Sequence, residues 1–322
     1  MTPQERADRV LAGDVRAIAR LMRDIDDGQP GWMEVLKLLH PYAGRARVIG
    51  LTGSPGVGKS TLTDALVAAF RAQGLTVGVV AVDPTSPFSG GAILGDRIRM
   101  QRHATDEGVF IRSLATRGHF GGLTASTRGV VTVMEAMGKD VVLVETVGVG
   151  QDEVEIVRTA DTTVIVTVPG LGDDIQAIKA GILEAGDIFV VNKMDREGAG
   201  RTVQELKNML TLSHGARHRS GWEPPVLLTC GMDGRGLSEL MEALDGHRQI
   251  LNADGGRLLA QRRRDGARRE LMDLIQGGVT ERLLSRLGPQ QGLEAMVEQV
   301  VSGQADPYTL SQQALNEVLG QK

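Results

Sequence analysis

Apolar residues return at the three-and-four spacing of an amphipathic helix through the first forty or so positions of the chain. The run "TPQERADRVL" opens with Thr2 as an N-cap, Pro3 at the first helical position and Glu5 completing a capping box. "DVRAIARLMRDI" follows with Asp14 as its cap, and "WMEVLKLLH" is stopped by Pro41. From Arg47 the pattern changes. Short continuous apolar runs appear: "RVIGLTG", "LTVGVVAVD", "VFIRSL", "DVVLVET", "TTVIVTV", "DIFVVNK" and "PPVLLTC". Such runs suit parallel strands covered on both faces. Helical stretches separate them, namely "KSTLTDALVAAFRAQ", "TASTRGVVTVMEAM", "DDIQAIKAGILEA" and "TVQELKNMLTL". The alternation predicts an α/β fold, a doubly wound, mainly parallel sheet with its ligand at the carboxyl ends of the strands.

After about residue 250 the strand signals cease. "RLLAQRRRDGARRELMDLIQGGVTERLLSRL" and "DPYTLSQQALNEVL" read as helices, the second starting at Asp306 and Pro307. The expected division is a helical extension over 1–44, an α/β domain over 45–250 and a helical arm over 251–322. An arm beyond a complete core suits dimerisation. The basic run Arg262 to Arg264 reads as a solvated helix face.

Composition narrows the partners without choosing a function. The chain has 322 residues, 41% apolar and 24% charged, with a net charge of -4. That mild negative balance and 3% aromatics give no reason to expect nucleic acid. A single cysteine, Cys230, excludes an intramolecular disulfide or a thiolate metal cluster. The N-terminus lacks an apolar signal core and no apolar run reaches membrane-spanning length, so a cytoplasmic protein without a membrane partner is expected.

The chemistry begins with "GSPGVGKST", residues 53–61, which matches G-x-x-x-x-G-K-[ST] between an expected strand and an expected helix. Gly53, Gly56 and Gly58 let the backbone N–H groups of the loop, which runs through Ser54, Pro55 and Val57 to Lys59, Ser60 and Thr61, curl about phosphates at a helix N-terminus. Lys59 supplies positive charge to the β- and γ-phosphates, and the Ser60 hydroxyl is placed to ligate Mg²⁺. At "VVLVETVGVGQDE" a strand breaks at Glu145, followed by Thr146, Val147 and Gly148, the shape of a γ-phosphate sensor.

"VVNKMD" names the base. A carboxylate at Asp195 accepts from the N1–H and 2-amino group of guanine, a pattern adenine does not present. Lys193 would lie along the base and Asn192 would brace the loops. Together with the phosphate loop this favours GTP over ATP. In "LLTCGMDGRG", Thr229, Cys230 and Gly231 either offer backbone N–H groups to guanine O6 or form a plain tight turn. Between these motifs "AVDPTSPFSGGAILGDRIRM" runs from Asp83 at a strand's end to Asp96. It reads as a switch loop with two carboxylates near Mg²⁺, or as an ordinary loop with a solvated Asp96.

Taken together, "GSPGVGKST", "VDPTSPFSGGAILGDRIRM", "RSLATRGHFGGL", "ETVGVGQDEVEI", "PGLGDDIQAIKAGILE" and "FVVNKMD" resemble the MeaB/ArgK/MMAA-type P-loop GTPases. The resemblance covers most of residues 45–236, with helical extensions of the same kind at both ends. It implies a homodimeric GTPase that gates adenosylcobalamin loading of methylmalonyl-CoA mutase and protects that enzyme. It also implies that Asp83, Asp96 and Glu145 surround Mg²⁺ and the γ-phosphate of bound GTP, with GDP as product. Residues 168–179 would then be a further switch. Lys179, within its helix, would pair with the switch acids, although the residues alone fit a surface lysine behind a capping Asp173.

Two other functions compete with this one. A nickel- or zinc-delivering GTPase usually carries clustered cysteines or a histidine tract, whereas here the six histidines are scattered. His214 and His218 stand i, i+4, but the intervening glycine favours a loop over a zinc-binding helix. A small-molecule kinase conflicts with the guanine motif. Val149 follows Gly148 where a water-orienting Gln is usual, and Gln151 lies beyond. Slow intrinsic hydrolysis, accelerated by the partner or the dimer, is the resulting expectation. Arg97 and Arg99 are candidates for additional positive charge.

Overall fold

The computed structural model describes residues 1–84, 100–103, 105–116, 122–146, 159–170, 185–212, 221–287 and 291–319. Helices α1 (Pro3–Leu11), α2 (Val15–Asp26) and α3 (Trp32–Leu39) come first, followed by a 3₁₀ turn over His40–Tyr42. The capping box forms as the spacing predicts, with Glu5 N–H donating to Thr2 Oγ1 and Thr2 N–H to Glu5 Oε2. Asp14 caps α2 by accepting from the N–H groups of Arg16 and Ala17.

Seven strands build one sheet: β1 (Arg47–Thr52), β2 (Val77–Pro84), β3 (Val109–Thr116), β4 (Val141–Thr146), β5 (Thr162–Thr167), β6 (Ile188–Val191) and β7 (Val226–Leu228). Their order is β3-β2-β4-β1-β5-β6-β7 and every pairing is parallel. Among the described residues the helices between them are α4 (Lys59–Ala72), α5 (Gly122–Ala136) and α6 (Ala199–Leu212), and the helix expected at "DDIQAIKAGILEA" lies almost wholly outside those residues. Strand β1 is central, buried at every position and flanked by β4 and β5.

Side chains alternate along each strand, so neighbouring valines serve different layers. Val142 and Val144 of β4 join α1, α2, α3 and α5 on one face. Val141 and Leu143 join α4 on the other. The N-terminal helices therefore share a core with the sheet, contributing Val10, Ile18, Leu21, Met22, Ile25, Val35 and Leu39. Near the far edge Ile165, Phe189 and Val191 pack on Leu206 and Leu210 of α6.

The long helix α7 (Leu237–Leu287) breaks at Ala253–Gly256, where Asp254, Gly255 and Gly256 are successively left-handed. Its first half packs on the sheet through Leu240, Met241 and Leu244. The expected boundary at 250 falls just before this break. Helices α8 (Gln291–Val301) and α9 (Pro307–Leu319) follow. None of the described helices is long and apolar enough to cross a membrane.

The second half of α7 corrects the reading of Arg262 and Arg263 as solvated. Arg262 forks onto Asp187, with Nη2 donating to Oδ1 at 2.5 Å and Nη1 to Oδ2 at 2.9 Å. Arg263 grips both oxygens of Asp161 at 3.1 and 2.9 Å. Each aspartate also accepts from a neighbouring strand: Asp161 from Val48 N–H and Asp187 from Thr163 N–H. The arm is thus bonded to the amino-terminal ends of the strands. Arg264, by contrast, is exposed.

Candidate functional site

The carboxyl ends of β1, β4, β5 and β6 converge on the loop over residues 53–58. Gly53 has φ +142°, and a Cβ there would stand 2.0 Å from the Val166 carbonyl oxygen of β5. Gly58 has φ +91° and would meet the Asn192 amide at 2.6 Å. Both positions need glycine because strand ends press against the loop as well as because of the backbone angle. Lys59 begins α4 and is buried; its Nζ donates to Gly53 O at 2.5 Å and Ser54 O at 2.9 Å. The ammonium is therefore held over the cradle itself.

Ser60, next in the helix, donates its hydroxyl to Glu145 Oε1 at 2.6 Å. Glu145 is fully buried at the end of β4, and beside it Thr146 Oγ1 donates to Thr52 Oγ1. A hydroxyl and a carboxylate converging at the mouth of a phosphate loop are the hard oxygen donors that Mg²⁺ takes. The residues present fit that ion. The backbone of Asp83 lies on β2, two residues past Ala81, which pairs with Glu145. Asp96, Val149, Gln151 and Lys179, with Arg97, Arg99, His214 and His218, lie outside the described residues.

The side of the loop where the sequence expects the base is organised by Asn192. Its Nδ2 donates to Val57 O at 2.9 Å, while its Oδ1 accepts from Thr229 Oγ1 and Gly231 N–H, both at 3.1 Å. One buried amide ties the phosphate loop to the end of β7. Lys193 adopts φ 55° and donates Nζ to Gly56 O at 2.6 Å, lying along the loop. Asp195 is exposed in the turn beyond.

The backbone N–H groups of 229–231 have partners within the protein. Thr229 N–H goes to Val191 O, Cys230 N–H to Arg235 O and Gly231 N–H to Asn192. All three are engaged within the protein, so the segment is a braced wall. A bond from it to a base carbonyl would have to replace one of these.

The family described as "Methylmalonyl Co-A mutase-associated GTPase MeaB" matches residues 16–287. A putative GTPase of Pyrococcus horikoshii is 47% identical over 316 residues, covering 98% of each chain. GTPase ArgK of Escherichia coli is 36% identical over 259 residues, 79% of this chain and 78% of the relative. The mouse mitochondrial methylmalonic aciduria type A homolog is 34% identical over 262 residues, 80% of this chain and 62% of that protein. Among solved structures, an LAO/AO transport system kinase superposes with TM-score 0.72 at 27% identity, covering 99% of this chain and 97% of its own.

Proposed function

The chain belongs to the MeaB family of methylmalonyl-CoA mutase-associated GTPases, and from that premise we propose that its GTP hydrolysis gates the adenosylcobalamin loading of methylmalonyl-CoA mutase and protects that enzyme. As a P-loop GTPase it converts GTP to GDP and phosphate. The observation that best supports the site assignment is Asn192, whose amide joins the phosphate loop to the wall at Thr229, with Lys193 and Asp195 following it in the chain.

In this reading Asp195 accepts from guanine, and Lys193 covers the base. Backbone N–H groups of 53–61 hold the phosphates, and Lys59 exchanges its carbonyl partners Gly53 and Ser54 for β- and γ-phosphate oxygens. Ser60 and Glu145, joined by Asp83 and Asp96, would hold Mg²⁺, which supplies charge to the phosphoryl oxygens when bound. Glu145 sits where β4 ends, so its carboxylate senses whether the terminal phosphate is present. Lys179 pairs with the switch acids, and residues 168–179 report the nucleotide state to the mutase. Hydrolysis is slow until the partner binds.

The family match and the resemblance to the methylmalonic aciduria type A homolog support the mutase as partner. A homodimer through the arm is supported by its apolar surface. Leu271, Ile275, Val297 and Val301 are exposed there, and a groove of about 550 Å³ is lined by Leu283, Leu287, Val300 and Leu310. Purifying the tagged protein with a non-hydrolysable GTP analogue from cytoplasmic extract tests the assignment. Co-purification of the mutase, lost with Lys59→Ala, is the expected result; another partner or none contradicts it.

A further inference from the structure

A polar cavity of about 150 Å³ lies at the root of the arm, at the amino-terminal ends of β1 and β5 and away from the phosphate loop. Four arginines line it: Arg45 and Arg47 from the lead into β1, Arg248 from the first half of α7 and Arg263 from the second. The one carboxylate in the lining, Asp161, already accepts from the Arg263 fork and from Val48 N–H.

Arg47 is the unusual member. Its side chain is 4% exposed and gives Nη1 to Asp245 at 2.6 Å, while Nε and Nη2 have no hydrogen-bond partner. Burial, opposed by Asp245 and reinforced by the nearby Arg248 charge, draws it below the ordinary guanidinium value. The guanidinium groups of Arg45 and Arg248 form no ion pair among the described residues, and both side chains stand at the exposed rim. Like charges gathered around buried, unanswered donors are unfavourable unless a group rich in acceptor oxygens joins them. Arginine forks match tetrahedral oxyanions particularly well.

We propose that this cavity binds a phosphate-class oxyanion through Arg45, Arg47 and Arg248, with Arg263, held by Asp161, Gly44 and Ala46, forming its wall. Its walls come from the core and from both sides of the break at Ala253–Gly256. An occupied site therefore bridges the core and both halves of α7, and stiffens the arm where the helix is interrupted. The cavity is large enough for free phosphate or for the phosphoryl end of a larger molecule.

The test uses the full-length protein saturated with a non-hydrolysable GTP analogue and Mg²⁺, so that the phosphate loop is filled up to the γ-phosphate position. Inorganic phosphate is titrated against chloride at matched ionic strength, following heat and melting temperature. Saturable binding with a raised melting temperature is expected. Arg248→Gln and Arg45→Gln, both at the exposed rim, should each weaken it about tenfold. Arg264→Gln, exposed and outside the cavity, should leave it intact. Competition by a simple alkyl phosphate identifies the phosphoryl end of a larger ligand, and its failure identifies free phosphate; either sustains the site. Absence of saturable binding, or equal binding by Arg248→Gln, overturns the proposal.

Discussion

Ser60 Oγ donates to Glu145 Oε1 at 2.6 Å, joining the first turn of α4 to the end of β4 at the mouth of the phosphate loop. Because β1 and β4 are adjacent, this bond spans two neighbouring strand ends. Glu145→Gln keeps the shape but removes the charge. It should lower single-turnover GTP hydrolysis about a hundredfold or more, with GDP affinity changed far less. Mg²⁺ titration of both forms checks this, and an unaltered rate refutes the role of Glu145.

Guanine preference should rest on Asp195. Asp195→Asn is expected to shift binding from GTP toward xanthosine triphosphate, read by competition against a fluorescent nucleotide. Unchanged preference removes Asp195 from the base contact.

Asn192→Ala should act differently, weakening nucleotide binding and folding together. It strands the Val57 carbonyl, the Thr229 hydroxyl and the Gly231 N–H at a buried position. A loss of about 2–4 kcal/mol in stability is expected by denaturant titration.

Arg262→Gln should loosen the arm. Asp187 would keep Thr163 N–H but lose its fork at a position only 8% exposed. Allowing for the partial exposure of Arg262, the cost is about 1–3 kcal/mol. Trypsin should then cut faster after Arg257, just past the break, and an unchanged digestion pattern counts against the latch.

His247 predicts acid sensitivity. Burial, opposed by the nearby Asp187 charge, draws it from 6.5 down to about 4, with Arg262 and Arg47 lowering it and Asp161 raising it. Its Nδ1 meets Thr162 Oγ1 at 2.9 Å, its Nε2 stands 3.4 Å from Asp187 Oδ1, and its ring tilts on Trp222. Between those two values the unfolded chain binds a proton that the folded chain refuses. Stability therefore falls as pH drops from about 6.5 to about 4, by about 3 kcal/mol from this residue. His247→Gln should flatten that part of the stability curve.

The apolar arm should dimerise. Val297→Asp, on the exposed face of α8, is expected to convert a dimer to a monomer by light scattering, with the melting transition of the core preserved. A wild-type monomer at micromolar concentration would remove the arm from dimerisation.

The strands were legible because parallel strands buried on both faces leave unbroken runs such as "VVLV" before Glu145 and "IFVV" before Asn192. The phosphate loop was legible because its glycines answer to close approaches of Val166 and Asn192. Long-range charge pairing left no such trace. Arg262 and Arg263 sit in a basic run that looks solvated, and their partners Asp161 and Asp187 lie far away in sequence, each just before a strand. The use of the Thr229, Cys230 and Gly231 N–H groups was equally hidden, since backbone donors carry no residue signature. The break in α7 falls at "ADGG", yet the pairing of Arg262 and Arg263 beyond it with Asp187 and Asp161 emerges only from the packing.

The proposed function makes this a slow GTPase accelerated by the mutase. Single-turnover GTP hydrolysis, measured with and without adenosylcobalamin-dependent methylmalonyl-CoA mutase, tests it most directly. A slow intrinsic rate that rises on adding the mutase is predicted, and the rise should be absent in Glu145→Gln. Equal, fast rates in both conditions would contradict the account.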